Sequence, residues 1–202
     1  MPTSDPPARV RLSAADRRAS ILAAATEVFS ELGYHRSKMS EVARRVGVSE
    51  PVVFQNFGSK AAVFSAVLDH AAEQMTAAFT AWADRCPDIG SWLAELLAPA
   101  HLTRVHDRGT LGVLLSDAQT LTHEPGVLDA ARRANRLVAD TLTDLLARGR
   151  ADGSLRPDLA PATGAWWLIS LFASQPFRHA VSPTSHEADL ADLTLRTLLA
   201  PS

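Results

Sequence analysis

The stretch from Gly33 to Phe64, GYHRSKMSEVARRVGVSEPVVFQNFGSKAAVF, decides how the rest of the chain is read. Met39, Val42, Ala43 and Val46 fall on one side of a 3.6-residue repeat and specify a helix of about two turns. It stops at Gly47, a residue that can enter the left-handed region and turn the chain tightly. Ser49 is placed to cap a third short helix, and Pro51 is tolerated there because first-turn amides need no intrahelical partner. Val53 and Phe57 would face inward. Neither short helix could stand alone. Gly58-Ser59 restarts the chain into a long amphipathic helix, about 60–83, with Val63, Phe64, Val67, Leu68, Ala71, Met75 and Phe79 on one side. Upstream, Ser13-Ala-Ala-Asp16 resembles a capping box and opens a helix whose apolar stripe is Ile21, Leu22, Ala25, Val28, Phe29 and Leu32, ending at Gly33.

Outside this segment the pattern is also helical. No run alternates apolar and polar residues with β-branched enrichment, so the chain reads as all-α, with further helices near 89–103, 107–122, 126–151, 158–181 and 186–200, about nine in total. Its 202 residues allow one or two domains and exclude a large multidomain enzyme. The expected division is a flexible arm over 1–12, a three-helix domain over 13–59, and a C-terminal helical domain over 60–202. Apolar residues at 47% and charged residues at 21% are ordinary globular values. The single cysteine, Cys86, cannot form an intramolecular disulfide, and no Cys/His cluster offers a zinc cage. The polar, proline-containing start shows no signal-peptide pattern. The uncharged run from Leu159 to Phe177 carries two prolines, a glycine and several hydroxyls, so it reads as a helix buried in protein and not as a membrane span. A cytoplasmic location and no membrane partner are expected.

Net charge is −2 overall, but residues 1–60 carry nine basic and six acidic side chains, while residues 61–202 carry eleven and sixteen. A head at +3 on a body at −5 suggests that only the head meets a polyanion. Two short helices about Gly47, buttressed by a longer one, make a helix-turn-helix, whose second short helix enters the DNA major groove. Such a helix needs a thin buried face. Between Ser49 and Asn56 only Val53 and part of Phe54 are committed to packing, leaving Glu50, Val52, Gln55 and Asn56 outward, with Lys60 just beyond.

The quoted segment resembles the N-terminal DNA-binding domain of the tetracycline-repressor (TetR) family of bacterial transcriptional regulators. The resemblance covers about residues 16–68. It lies in the Gly-Tyr closing helix 1, the Val-Ala pair of helix 2, Gly-Val-Ser at the turn and Phe-x-Ser-Lys entering helix 4. It implies a homodimeric regulator, a repressor in the first instance, that binds a pseudo-palindromic operator and is released by a small-molecule effector in the C-terminal domain. Carried onto this chain, Lys60, Ser37, Lys38 and Phe54 become candidate phosphate contacts, Glu50, Val52, Gln55 and Asn56 candidate base readers, and Ser49 at the helix-3 cap a further DNA-binding candidate. Phe54 stands where the family often has Tyr, which removes one hydroxyl. Asn56 stands where His is common. Lys38 stands where Thr or Ser often caps helix 2, so Ser37 is expected to cap one residue early. Arg44 and Arg45 read as a solvated face, and Arg9 and Arg11 as part of a tail.

The helices near 158–181 and 186–200, with Trp166, Trp167, Ile169, Leu171 and Phe172 on the first and Leu190, Leu193, Leu195, Leu198 and Leu199 on the second, are the expected dimer contact. The candidate effector wall is drawn from Met75, Phe79, Trp82, Trp92, Leu96, His101, Leu115, Gln119, Trp167 and Phe172, apolar enough for a hydrophobic or aromatic molecule of modest size. An enzyme is the rival class. His101 and His106 are five apart and share no helical metal face, His123-Glu124 sits beside a proline, and no phosphate loop or nucleophile elbow stands out. No enzyme activity, cofactor or metal is therefore expected. A second rival is a helical carrier or partner-binding protein that has lost operator recognition.

Overall fold

A computed structural model describes residues 13–102, 111–121, 123–182 and 185–201. The arm, with Arg9 and Arg11, lies outside the described residues, as do His106 and the first part of the helix expected over 107–122.

Helices α1 (Ala14–Arg36), α2 (Met39–Val46) and α3 (Glu50–Phe57) form the head. Ser13 caps α1 by accepting from the Asp16 amide at 3.0 Å, and its hydroxyl donates to the Asp16 carboxylate. Ile21, Ala25, Val28 and Phe29 of α1 close over Met39, Val42 and Ala43 of α2 and Val53 of α3. Phe29 makes an edge contact with Phe64, ring centroids 4.9 Å apart, and stacks at 6.0 Å on Tyr34. α2 ends as its sequence demands: Gly47 takes φ 76° and ψ 32°, its amide donates to Arg44 O, and the Val48 amide donates to Ala43 O. That bond pair satisfies the last carbonyls of α2 and sets the angle to α3.

Ser59 caps α4 (Lys60–Ala83) by accepting from the Ala62 amide at 3.1 Å. This helix buries Val63, Phe64, Val67, Leu68 and Ala72, joins the head to the body, and packs along α8 (Val127–Ala151). Around that pair lie α5 (Ile89–Leu96), α6 (Pro99–Leu102), α7 (Leu111–Thr120), α9 (Pro161–Ala173), α10 (Gln175–Val181) and α11 (Glu187–Leu198). Two expected helices are broken. The 89–103 helix divides around Leu97-Ala98 because Pro99 cannot continue the amide ladder, and the 158–181 helix divides at Ser174 ahead of Pro176. Among the described residues there is no strand, only an isolated antiparallel bridge between Leu155 and Leu199. No described helix is long and apolar enough to cross a membrane.

Candidate nucleic-acid interface and body cavity

α3 is held by little. Val53 is its one fully buried side chain, and Pro51 occupies its first turn, where no amide is wasted. Glu50, Phe54 and Gln55 are exposed, Phe54 by 38%, and Val52 is half-buried. Ser49 stands at the N-cap position, but its hydroxyl makes no capping bond and is on the exposed side. Asn56 is half-buried: its amide nitrogen donates to Val52 O at 2.7 Å, and its own carbonyl accepts from the Arg18 guanidinium, which also lies 4.0 Å over the Phe57 ring. That internal bond uses one of the two N–H groups of the Asn56 amide and fixes the direction of the side chain.

Lys60 is also partly withdrawn. Its ammonium rests 4.5 Å from the centre of the Tyr34 ring and reaches His35 O at 3.4 Å. Burial lowers its pKa, and the nearby Glu124 carboxylate opposes that shift. Lys38 is exposed at the N-cap position of α2.

Ser37 requires a correction. Its side chain is 3% exposed, and its hydroxyl donates to Gly33 O at 2.6 Å and Val28 O at 3.2 Å. It closes the end of α1 and neither caps α2 nor offers a hydroxyl to a phosphate, because those inward carbonyls already hold its proton. Arg45 is likewise more than a solvated residue. It bridges α2 to α1, with Nη2 2.6 Å from Glu31, Nη1 3.2 Å from Glu27 and Nε 3.1 Å from Glu41. Arg44 grips the same Glu41 in a bidentate pair at 2.7 and 2.8 Å.

These bonds, from Arg44 first and Arg45 second, pull the Glu41 pKa down from 4.5 to about 2. Because the folded value is the depressed one, the contribution to stability is present above pH 4.5 and is lost as pH falls through about 2. The expected result is a Glu41 carboxyl carbon that titrates near pH 2 by NMR, and a midpoint returned toward 4.5 in the double variant Arg44→Ala, Arg45→Ala. An unshifted midpoint in that variant would refute the assignment.

Beneath the head, a cavity of about 490 Å³ opens between α1, α4, α7, α8 and α9. Of the ten expected wall residues, Met75, Phe79, Leu96, His101, Leu115, Gln119 and Phe172 line it. Three do not, and each has another partner. Trp92 is fully buried as core, with its ring 5.9 Å from Phe79 and 6.2 Å from Trp82. The Trp82 indole donates to Glu95 at 2.7 Å. Trp167 faces outward and donates to Thr194 of α11 at 3.2 Å. An aromatic at helical spacing fits core, surface and pocket equally, which is why sequence alone could not sort them.

Sequence reading also missed polar members of the wall. Thr26, Gln74 and Asn135 line the cavity alongside Ile169, Val138 and Leu142. A signal was present. Thr26 sits four residues after Leu22 on the α1 stripe, and Asn135 four after Ala131 and seven before Leu142 on that of α8, each a polar side chain in core register. Among the described residues no group of His, Cys, Asp and Glu could hold a metal ion.

The family model for bacterial regulatory proteins of the tetR family matches residues 21–67. The HTH-type transcriptional activator FasR of Mycolicibacterium smegmatis is 31% identical over 138 residues, which are 68% of this chain and 62% of that protein. The chain belongs to the tetR family. The aligned stretch spans less than two thirds of the length of FasR. In fold, the structure is similar to Escherichia coli NemR, with a TM-score of 0.76 and 20% identity over 93% of this chain and 99% of that one. It is also similar to Bacillus subtilis FadR in complex with stearoyl-CoA, with a TM-score of 0.66 and 16% identity over 88% of this chain and 95% of that one. The relatives are regulators and not enzymes.

As in the family resemblance, the tetR-type head is followed by a helical body, and the last helices of that body carry an apolar outer face. Trp166 (51% exposed), Trp167 (48%), Phe177 (68%), Val181 and Leu193 stand on α9, α10 and α11. The other exposed large apolar side chains among the described residues, Phe54 and Leu137, are less so, at 38% each.

Proposed function

We propose that this chain is a homodimeric transcriptional regulator that binds a pseudo-palindromic operator through α2 and α3 and responds to a small, mostly apolar effector held in the body cavity. The observation that carries the reading is the thin buried face of α3, one fully buried side chain in eight residues, which leaves Glu50, Phe54 and Gln55 projecting beyond the head. Gln55 and Glu50 then face base edges, while Lys38, Ser49 and Lys60 lie where phosphates would pass. A second copy on the α9–α11 face supplies the two-fold axis, with the two α3 helices about 34 Å apart, one turn of DNA.

The cavity supports an uncharged effector. Its described walls are aliphatic and aromatic side chains interspersed with amides, hydroxyls and the His101 imidazole, without a Lys, Arg, Asp or Glu. An acyl or aryl body with one hydrogen-bonding end matches that lining. Effector binding shifts α4 between two arrangements of the heads, and a coupling of about 1–3 kcal/mol changes operator affinity roughly 5- to 150-fold. In this proposal the effector relieves repression. A reporter gene that rises on effector addition supports it, and one that falls marks an effector-released activator.

Selection of bound duplexes from a random pool tests the DNA reading and is expected to return a two-fold sequence. With that duplex, Lys60→Ala is expected to weaken binding to all sequences and to reduce the salt slope by about one charge. Gln55→Ala is expected to relax one base position by about 1–3 kcal/mol, roughly 5- to 150-fold in affinity. Retained affinity, specificity and salt slope in the combined variant would overturn this contact map. A chain that takes apolar ligands and selects no duplex would be a carrier.

A further inference from the structure

α1 does not run straight to its end. At Gly33 the backbone takes φ 72° and ψ 167°, breaking the helix so that its last turn, Tyr34 to Arg36, begins afresh. The amide that opens this turn is bonded from another part of the molecule, for Tyr34 N donates to Asp117 Oδ2 at 2.5 Å, across 83 residues of sequence. Only glycine suits the break. An L side chain is strained at that φ, and a Cβ on Gly33 would lie 3.1 Å from the same carboxylate oxygen.

Asp117 belongs to α7, whose Leu111, Gly112, Leu115, Ser116 and Gln119 line the cavity. The bond therefore joins the cavity wall to the residue that carries Lys60, since the Lys60 ammonium sits on the Tyr34 ring and against His35 O. The other end of Tyr34 is held by the body too. Its phenol is buried and donates to Glu124, in the turn between α7 and α8, and both effects raise its pKa.

We propose that Asp117 is a latch between cavity and head: a ligand that displaces α7 draws the carboxylate off the Tyr34 amide, and the Tyr34 ring carries Lys60 with it. This rests on the regulator reading above and supplies it with a second route beside the shift of α4. α7 is a single helix of ten residues that carries both the cavity-facing side chains and Asp117. A carboxylate-to-amide bond is lost within an ångström of displacement, because hydrogen bonds have little reach beyond their normal length. Asp117 is a positioning residue. It does not itself lie on the DNA face.

The test uses the full chain, the neutral fluorophore N-phenyl-1-naphthylamine as cavity probe, and the selected duplex. In the parent, saturating probe is expected to change hydrogen exchange at the Tyr34 amide at least fivefold. In Asp117→Ala that amide is expected to exchange at least tenfold faster and to stop responding to the probe. Duplex affinity should change at least tenfold and probe affinity less than threefold. Asp117→Asn keeps an acceptor for the amide and should stay within threefold of the parent in duplex affinity. Should Asp117→Ala melt too early to measure, Asp117→Glu, one methylene too long for the space over Gly33, provides the same comparison. A Tyr34 amide indifferent to bound probe, or parental duplex affinity in Asp117→Ala (or in Asp117→Glu where that variant replaces it), overturns the latch and leaves the regulator reading intact. A parent chain that takes neither probe nor duplex refutes the regulator reading and the latch with it.

Discussion

A chain carrying Trp166→Asp and Phe177→Asp is expected to sediment as a monomer at micromolar concentration and to bind the two-half-site duplex at least 100-fold more weakly than the parent. Both side chains are more than half exposed on the α9–α10 face, so the substitutions leave the monomer's own core untouched and its folding nearly unchanged. In a dimer each would be covered. Burying an aromatic side chain of this kind contributes about 1.5–3 kcal/mol, and each interface carries every residue twice. An aspartate in its place must instead be desolvated without a partner. Loss of the dimer separates the two heads, and the gain from joining two binding modules is on the order of 10²- to 10⁴-fold. Affinity for a single half-site should persist. Analytical ultracentrifugation and fluorescence anisotropy read the two effects, and a variant that stays dimeric would reject α9–α11 as the interface.

The second large effect separates core from wall. Trp92→Ala is expected to destabilise the body by about 3–5 kcal/mol, the usual range for removing a buried aromatic, and to lower the melting temperature by roughly 6–20 °C in a chain of this size. Trp92 is completely enclosed, and Phe79 and Trp82 pack against its edges. Leu115→Trp changes a residue that faces the cavity, so its added bulk takes up open volume and does not strain a packed interior. That variant should melt within about 3 °C of the parent, since nothing enclosed is disturbed, and should bind the naphthylamine probe at least tenfold more weakly. Equal stability losses in the two variants would mean that the cavity wall is ordinary core.

Local chemistry made the head legible. Gly47, Ser59 and the apolar residues at intervals of three and four act within one or two turns, so their consequences can be read along the chain. The same holds for the long helix over Lys60–Ala83, whose observed bounds match the expected ones. The matching bounds, capping bond and Gly47 turn follow from forces that do not depend on distant partners.

Where a side chain's role depends on what approaches it from elsewhere, sequence reading divided. It put Trp82, Trp92 and Trp167 together in one pocket, and the packing of α4, α5 and α11 sent them to three different environments. It read Ser37 as a surface hydroxyl, but the break at Gly33 turns that hydroxyl toward the carbonyls of α1. It read Arg45 as solvated, although residues on a neighbouring helix, Glu27 and Glu31, were waiting for it. The sequence by itself determined the class of fold, the helix-turn-helix and its family, because short-range periodicity and turn chemistry are written in consecutive residues. Only the tertiary structure decided which aromatics enclose the cavity, which basic groups remain on the DNA side, and that Asp117 meets Tyr34, because burial and hydrogen bonding over such separations arise from how whole helices pack.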